Sequence, residues 1–218
     1  MKPIARNLFS QNDLESIQAA VHSAEGQTSG EVVPYVVFQS DDYDEAELGG
    51  ALAFSLIPPV VYFCIQLFTD IWMLWEAPEM VLAIFAFMAL GWILTGKLAP
   101  LKRFFAGKNL LSRRVEQRAE EAFLAEEIFK TRDRTGILLF VSVLEHRVLV
   151  LGDSGINARV RKEDWDVIVR HVVTGIKSGR KADAMIEAIR MCGDLLQNNG
   201  LPLKPGDTNE LSNELRTG

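Results

Sequence analysis

The sequence predicts an α/β (α+β) soluble domain, a small mixed sheet packed by helices, interrupted by a two-helix transmembrane hairpin. Three observations predict it. Residues 48–69 and residues 80–96 carry no charged side chain, and at about 1.5 Å rise per residue the first run reaches roughly 30 Å, the hydrocarbon thickness of a bilayer. Short runs at 31–38, 137–144 and 148–153 are rich in branched and aromatic residues and read as strands. Amphipathic helical patterns flank those runs. The chain has 218 residues, so what lies outside the hairpin is the size of one compact domain. Domain bounds follow: a first part of the soluble domain at 8–46, the hairpin at 47–99, a second part at 100–198 and a disordered tail at 199–218.

Ser10 is placed to cap a helix whose apolar positions Leu14, Ile17 and Val21 share a face and whose stop is Gly26. The strand EVVPYVVF follows, and Pro34 argues for an edge or a bulge because it has no N–H to give a neighbour. An acidic run, DDYDEAE, leads to the first span. Pro58 and Pro59 remove backbone donors in mid-span, which predicts a kink near Ile57. The second span, 80–98, is short, but Lys97 can extend it by reaching towards headgroups. A helix apolar on every face needs a surrounding core that a chain of this size does not supply, so a buried soluble hairpin is the poorer reading. Residues 48–69 and 80–96 hold no Asp, Glu, Lys, Arg or His, which argues against transport by this hairpin alone.

The loop at 70–79 has no Lys or Arg, whereas Lys97, Lys102, Arg103, Lys108, Arg113 and Arg114 follow the second span. That bias predicts an integral protein of the inner membrane with both termini and the soluble domain in the cytoplasm. Trp72, Trp75 and Trp92 fall where indole rings favour the interface. The N-terminus lacks the apolar core of a secretory signal.

Beyond the hairpin, Val115, Ala119, Ala122, Ala125 and Phe129 make a core-facing helical stripe. Two apolar runs separated by Glu145, His146 and Arg147 then read as a β-hairpin. Two amphipathic helices close the domain, one with Trp165, Ile168, Val169, Val172 and Ile176 inward, the other with Met185, Ile186, Ile189, Cys192 and Leu196. The polar, turn-rich remainder is expected to be disordered. Cys64 and Cys192 lie in segments that do not meet, so no disulfide is expected. A net charge of -6 without a basic, aromatic-interleaved run excludes nucleic acid as a partner and leaves the lipid bilayer and other membrane proteins.

At TSGEVVPYVV, at TGILLFVSVLEHRVLVLGDSGIN and over the two helices that follow, the chain resembles the TPM domain family. Gly30 and Glu31 leading into the first strand, the hairpin from Gly136 to Leu151 and the glycine turn Gly152-Asp153-Ser154-Gly155 carry the resemblance. It implies a TPM fold, with the inserted hairpin matching a bacterial membrane-bound subgroup. It also implies one of the family's reported properties: phosphatase activity, divalent-cation binding, or accessory roles in membrane complexes.

Asp153 follows one predicted strand, and Asp41, Asp42 and Asp44 follow another. If those strands are parallel neighbours, Asp41, Asp42 and Asp153 converge at one edge as oxygen ligands for a hard cation, Ca²⁺ or Mg²⁺; otherwise they are a turn acid and a solvated linker. His22, His146 and His171 are isolated, and Ser142 and Ser154 lack a recognisable base, so no catalytic residue and no transition-metal site is expected. The expected function is a membrane-anchored interaction or accessory module, with a metal-dependent phosphatase at the acidic edge as the alternative.

Overall fold

A computed structural model of the protein describes residues 8–68 and 77–218. Trp72 and Trp75, expected at the outer turn, lie outside the described residues. The described residues divide into two compact units, an α/β unit made by residues 8–40 and 114–218 and a helical unit made by residues 41–68 and 77–113. The helical unit is thus wider than the span region expected at 47–99.

In the α/β unit, α1 (Gln11–Glu25) begins at Ser10 through a capping box: the Asp13 N–H donates to Ser10 Oγ at 3.2 Å and the Ser10 N–H donates to Asp13 Oδ2 at 2.8 Å. Its apolar stripe buries Ile17, Ala20, Val21 and Ala24. Strands β1 (Glu31–Val37), β2 (Gly136–Ser142), β3 (Arg147–Gly152) and β4 (Arg216–Thr217) form one sheet in the order β3-β2-β1-β4. β1 runs parallel to both β2 and β4, and β3 runs antiparallel to β2, so the sheet is mixed. Gly136 opens β2 because a Cβ there would lie 2.4 Å from the Ile128 carbonyl oxygen.

β1 is flanked on both sides, against the edge position read from Pro34. The register explains how the proline fits. Glu31 donates its N–H to Thr135 O and Val37 O accepts from Val143, so odd-numbered residues of β1 bond towards β2 and even-numbered ones bond away from it. Pro34 therefore lacks its donor on the side where β4 pairs with only Tyr35 and Val36.

Both sheet faces are covered. Val32, Val36, Ile137, Leu139 and Val141 pack with α1, α7 (Lys162–Lys177) and α8 (Lys181–Asn198). Val33, Tyr35, Val37, Leu138 and Phe140 pack against Val115, Ala119 and Ala122 of α5 (Ala99–Ala125), and the rings of Tyr35 and Phe140 stack at 5.7 Å. A 3₁₀ turn, Ile128–Lys130, precedes β2, and a single-turn helix α6 (Ser154–Asn157) follows β3. Helix α5 begins at Ala99, well before the stripe that opens at Val115, and Gly107, at φ 70° and ψ 159°, interrupts its helical backbone.

The expected disordered tail is instead ordered. Residues 199–218 run back along the unit: Pro202 bridges to Thr28, and β4 lies beside β1. The physical reason is backbone pairing with polar side chains, which leaves no apolar periodicity in the sequence.

In the helical unit, α2 (Asp44–Ser55) and α3 (Ile57–Phe68) are separated by Leu56, and α4 (Ala77–Lys97) returns. The break falls where Pro58 and Pro59 withhold the N–H groups that would bond Phe54 and Ser55. Residues Asp44–Phe68 and Ala77–Lys97 are long and apolar enough to cross a membrane. Helices α2 and α4 approach closely through small residues. A Cβ at Gly91 would meet the Gly50 carbonyl oxygen at 2.7 Å and Phe54 Cβ at 2.6 Å, and Gly50 faces Thr95. Lys102, 7% exposed, pairs with Glu47 at 3.1 Å and donates to the Asp42 carbonyl at 2.9 Å.

Candidate functional site

The convergence expected of Asp41, Asp42 and Asp153 required parallel, neighbouring strands, and the sheet provides neither. β2 separates β1 from β3, and β3 is antiparallel to β2 while β1 is parallel to it. Asp153 therefore follows the strand end that lies beside Gly136 and the start of β1, whereas the acidic run follows the other end of β1. Asp153 has structural work of its own: Oδ1 accepts the Ser154 N–H at 2.6 Å, which caps α6, and Oδ2 pairs with Arg134 at 2.8 Å. Among the described residues no group of three or more His, Cys, Asp or Glu side chains is placed to hold a metal ion. The acidic edge as a cation or phosphatase site loses its geometric premise.

The topology brings a different set of acids together at the start of β1. Glu25 ends α1 and Glu31 begins β1, and the turn between them folds the two carboxyl groups into hydrogen-bonding contact. Glu25 Oε1 accepts the Val32 N–H at 3.1 Å, and Glu31 Oε1 accepts the Glu210 N–H at 3.0 Å. Glu31 is 8% exposed, and its Oε2 is buried with no protein hydrogen bond. Burial pushes the Glu25 carboxyl up to about 8, and the charge of Glu31 pushes in the same direction. Burial likewise raises Glu31. Two neighbouring carboxyls disfavour each other's ionised form. A cavity of about 200 Å³ beside them is lined by His22, Glu25, Thr28, Glu31, Asp207 and Asn209.

A second polar cluster sits where β1 leaves the α/β unit. Glu145 accepts from the Ser142 hydroxyl and from the Ser40 N–H, the latter at 2.8 Å, and the Ser40 and Ser142 hydroxyls lie 2.8 Å apart. Ser142 is fully buried and Glu145 is 6% exposed, so the cluster moors the chain and is closed to a substrate. The sequence reading found no acid partner for Ser142. The turn geometry that brings Glu145 back, with His146 at φ 53°, supplies one three residues away. His171 pairs with Glu187 on the neighbouring helix, a surface contact.

These features define a mixed α/β domain with a helical insertion between its first two strands. Residues 107–195 match the TPM domain. That match spans the hairpin from Gly136 to Leu151 and the glycine turn after it, two of the motifs that carry the resemblance. The NMR structure of BA42 protein from the psychrophilic bacterium Bizionia argentinensis is similar in fold, with a TM-score of 0.58 at 18% identity over 96% of this chain and 95% of that one. No curated protein sequence matches the chain.

Proposed function

We propose that the protein is a membrane-anchored TPM module, held in the bacterial inner membrane by the helical hairpin with its α/β unit in the cytoplasm, and that it serves an assembly of membrane proteins as an interaction or accessory part. One observation carries the reading: the long apolar helices turn their large side chains outward. Phe63 is 64% exposed, Leu67 63% and Leu82 70%, and only 17% and 6% of the two apolar windows are buried. Burying one such side chain is worth about 1.5–3 kcal/mol, so a surface this apolar is a surface for lipid. The six basic residues after the second span, against none in the loop at 70–79, support the orientation. The accessory role is supported by what the polar clusters do, since Asp153 caps a helix and the Ser142–Glu145 pair is sealed.

Two measurements test this. Alkaline carbonate should leave the protein in the membrane pellet and detergent should release it; release by carbonate alone refutes the anchor. In a Cys64→Ser background, a cysteine at Ala77 should react with an impermeant thiol reagent added from outside and one at Ser112 should not. The native Cys192 will not interfere, because burial pushes its thiol up to about 12.

A further inference from the structure

The cavity at the start of β1 is walled by acids that the protein leaves short of donors. Glu31, 8% exposed, gives Oε1 to the Glu210 N–H, and its buried Oε2 receives no hydrogen bond from the described residues. Asp207 repeats the pattern from the C-terminal segment. Its side chain is 13% exposed, Oδ1 accepts the Thr208 N–H at 3.1 Å, and Oδ2 is buried without a donor. Glu25 adds a third carboxyl, with Oε1 on the Val32 N–H and Oε2 at 3.4 Å from Asn209 Nδ2. All three residues line the one cavity of about 200 Å³. Each carboxyl is thus fixed through one oxygen, and two of the remaining oxygens carry the cost of burial without a partner. We propose that this cavity binds a primary alkylammonium group.

Charge calls for a cation here, and geometry selects its kind. The nearby cations are committed elsewhere: Arg132, 60% exposed, comes only to 3.8 Å from Asp207 Oδ1, and Lys204 is paired with Asp133. A hard metal ion needs its oxygens drawn onto one point at about 2.3–2.6 Å. Among the described residues no three acids converge in that way. An ammonium carries three divergent N–H donors and makes charge-assisted bonds at about 2.7–2.9 Å, so carboxyls spread around a cavity suit it. Leu203 and Gly26 share the wall and give an alkyl stem an apolar surface.

The Glu210 and Leu211 N–H groups favour the ionised form of Glu31, while burial raises both glutamates. A bound ammonium acts against that rise and stabilises the charged pair. Two sources carry such a group, a free amine and the lysine side chain of another protein. The site lies wholly within the α/β unit, so the inference goes beyond the membrane anchor and stands or falls separately from it.

NMR titration of the full-length protein tests it, in a neutral detergent and an amine-free buffer at pH 8, where an alkylammonium of pKa about 10.4 keeps its proton. With n-butylamine or Nα-acetyl-lysine methylamide, the amide resonances of Glu31, Asn209 and Glu210 should shift to saturation with a Kd on the order of 1 mM or tighter, while those of β2 stay still. n-Butanol, the same chain without the charge, should move none of them. Glu31→Gln keeps the acceptor for the Glu210 N–H and should weaken binding at least about tenfold. Asp207→Asn should weaken it in the same direction and serves if the first variant disturbs folding. Saturation by the lysine derivative assigns the site to a partner's side chain, and saturation by n-butylamine alone assigns it to a free amine. No saturable shift with either ligand at tens of millimolar, equal shifts with n-butanol, or wild-type affinity in both variants overturns the inference.

Discussion

The α/β unit and the hairpin unit solve the packing problem in opposite ways. In the sheet the largest apolar side chains are sealed: Phe140, Ile137, Leu138 and Leu139 are 0% exposed, and charged groups lie outside them. In the hairpin the buried residues include the small Ala46, Gly50, Ala51, Gly91 and Thr95, while Phe63, Leu82 and Phe85 point outward. Water rewards the first arrangement and penalises the second. In a bilayer, lipid is as apolar as leucine, so helices associate through close contact of small residues and leave large ones to the solvent, the pattern of the hairpin. The two units thus follow opposite packing rules, and the proposed anchor rests on that difference.

The contrast can be broken first in the sheet. Phe140→Ala removes a fully buried ring that stacks on Tyr35, and should destabilise the α/β unit by about 3–5 kcal/mol in urea unfolding while membrane retention of the chain is unchanged. Loss of retention together with the fold would show that the two units are not separable. Gly91→Leu asks the converse question. Its side chain would push α4 away from the Gly50 carbonyl, at about 1–3 kcal/mol, and should speed hydrogen exchange in α4 without moving the urea midpoint of the α/β unit. The smallest effect is expected at the rim of the sheet domain. Ser10→Ala deletes the cap of α1 and should cost about 1 kcal/mol by the same urea measurement, and Ser10→Asn should restore most of it.

What could be read from the sequence divides along similar lines. Segments whose order comes from apolar burial announce themselves: the stripe of Trp165, Ile168, Val172 and Ile176, the β2–β3 hairpin and the two apolar spans all carry a period or a length that physics requires. The capping box at Ser10 is equally local. The segment at 199–218 leaves no such mark, because its order comes from backbone groups meeting Thr28, Ser29 and Glu31, about 175 residues away in the chain, with Leu201 as its main buried apolar anchor. Glu25 and Glu31 read as ordinary surface acids, since the helix-to-strand turn that joins them leaves no pattern in composition. Asp153 was assigned to an acidic edge because alternation marks a strand but not its direction, and the antiparallel β3 carries it to the opposite end of the sheet.

The insertion also sets a schedule for the chain as it is made. β1 and β2 are central neighbours in the sheet, yet the whole hairpin is translated between Val37 and Gly136. At about 5–20 residues per second, β1 waits roughly 5–20 s for the strand that completes its buried side. Its branched, aromatic run is exposed through that interval, and the Gly218 N–H that bonds Val36 on its other side is made later still. Such long-range pairing folds slowly and leaves an unpaired edge open to neighbours in the meantime.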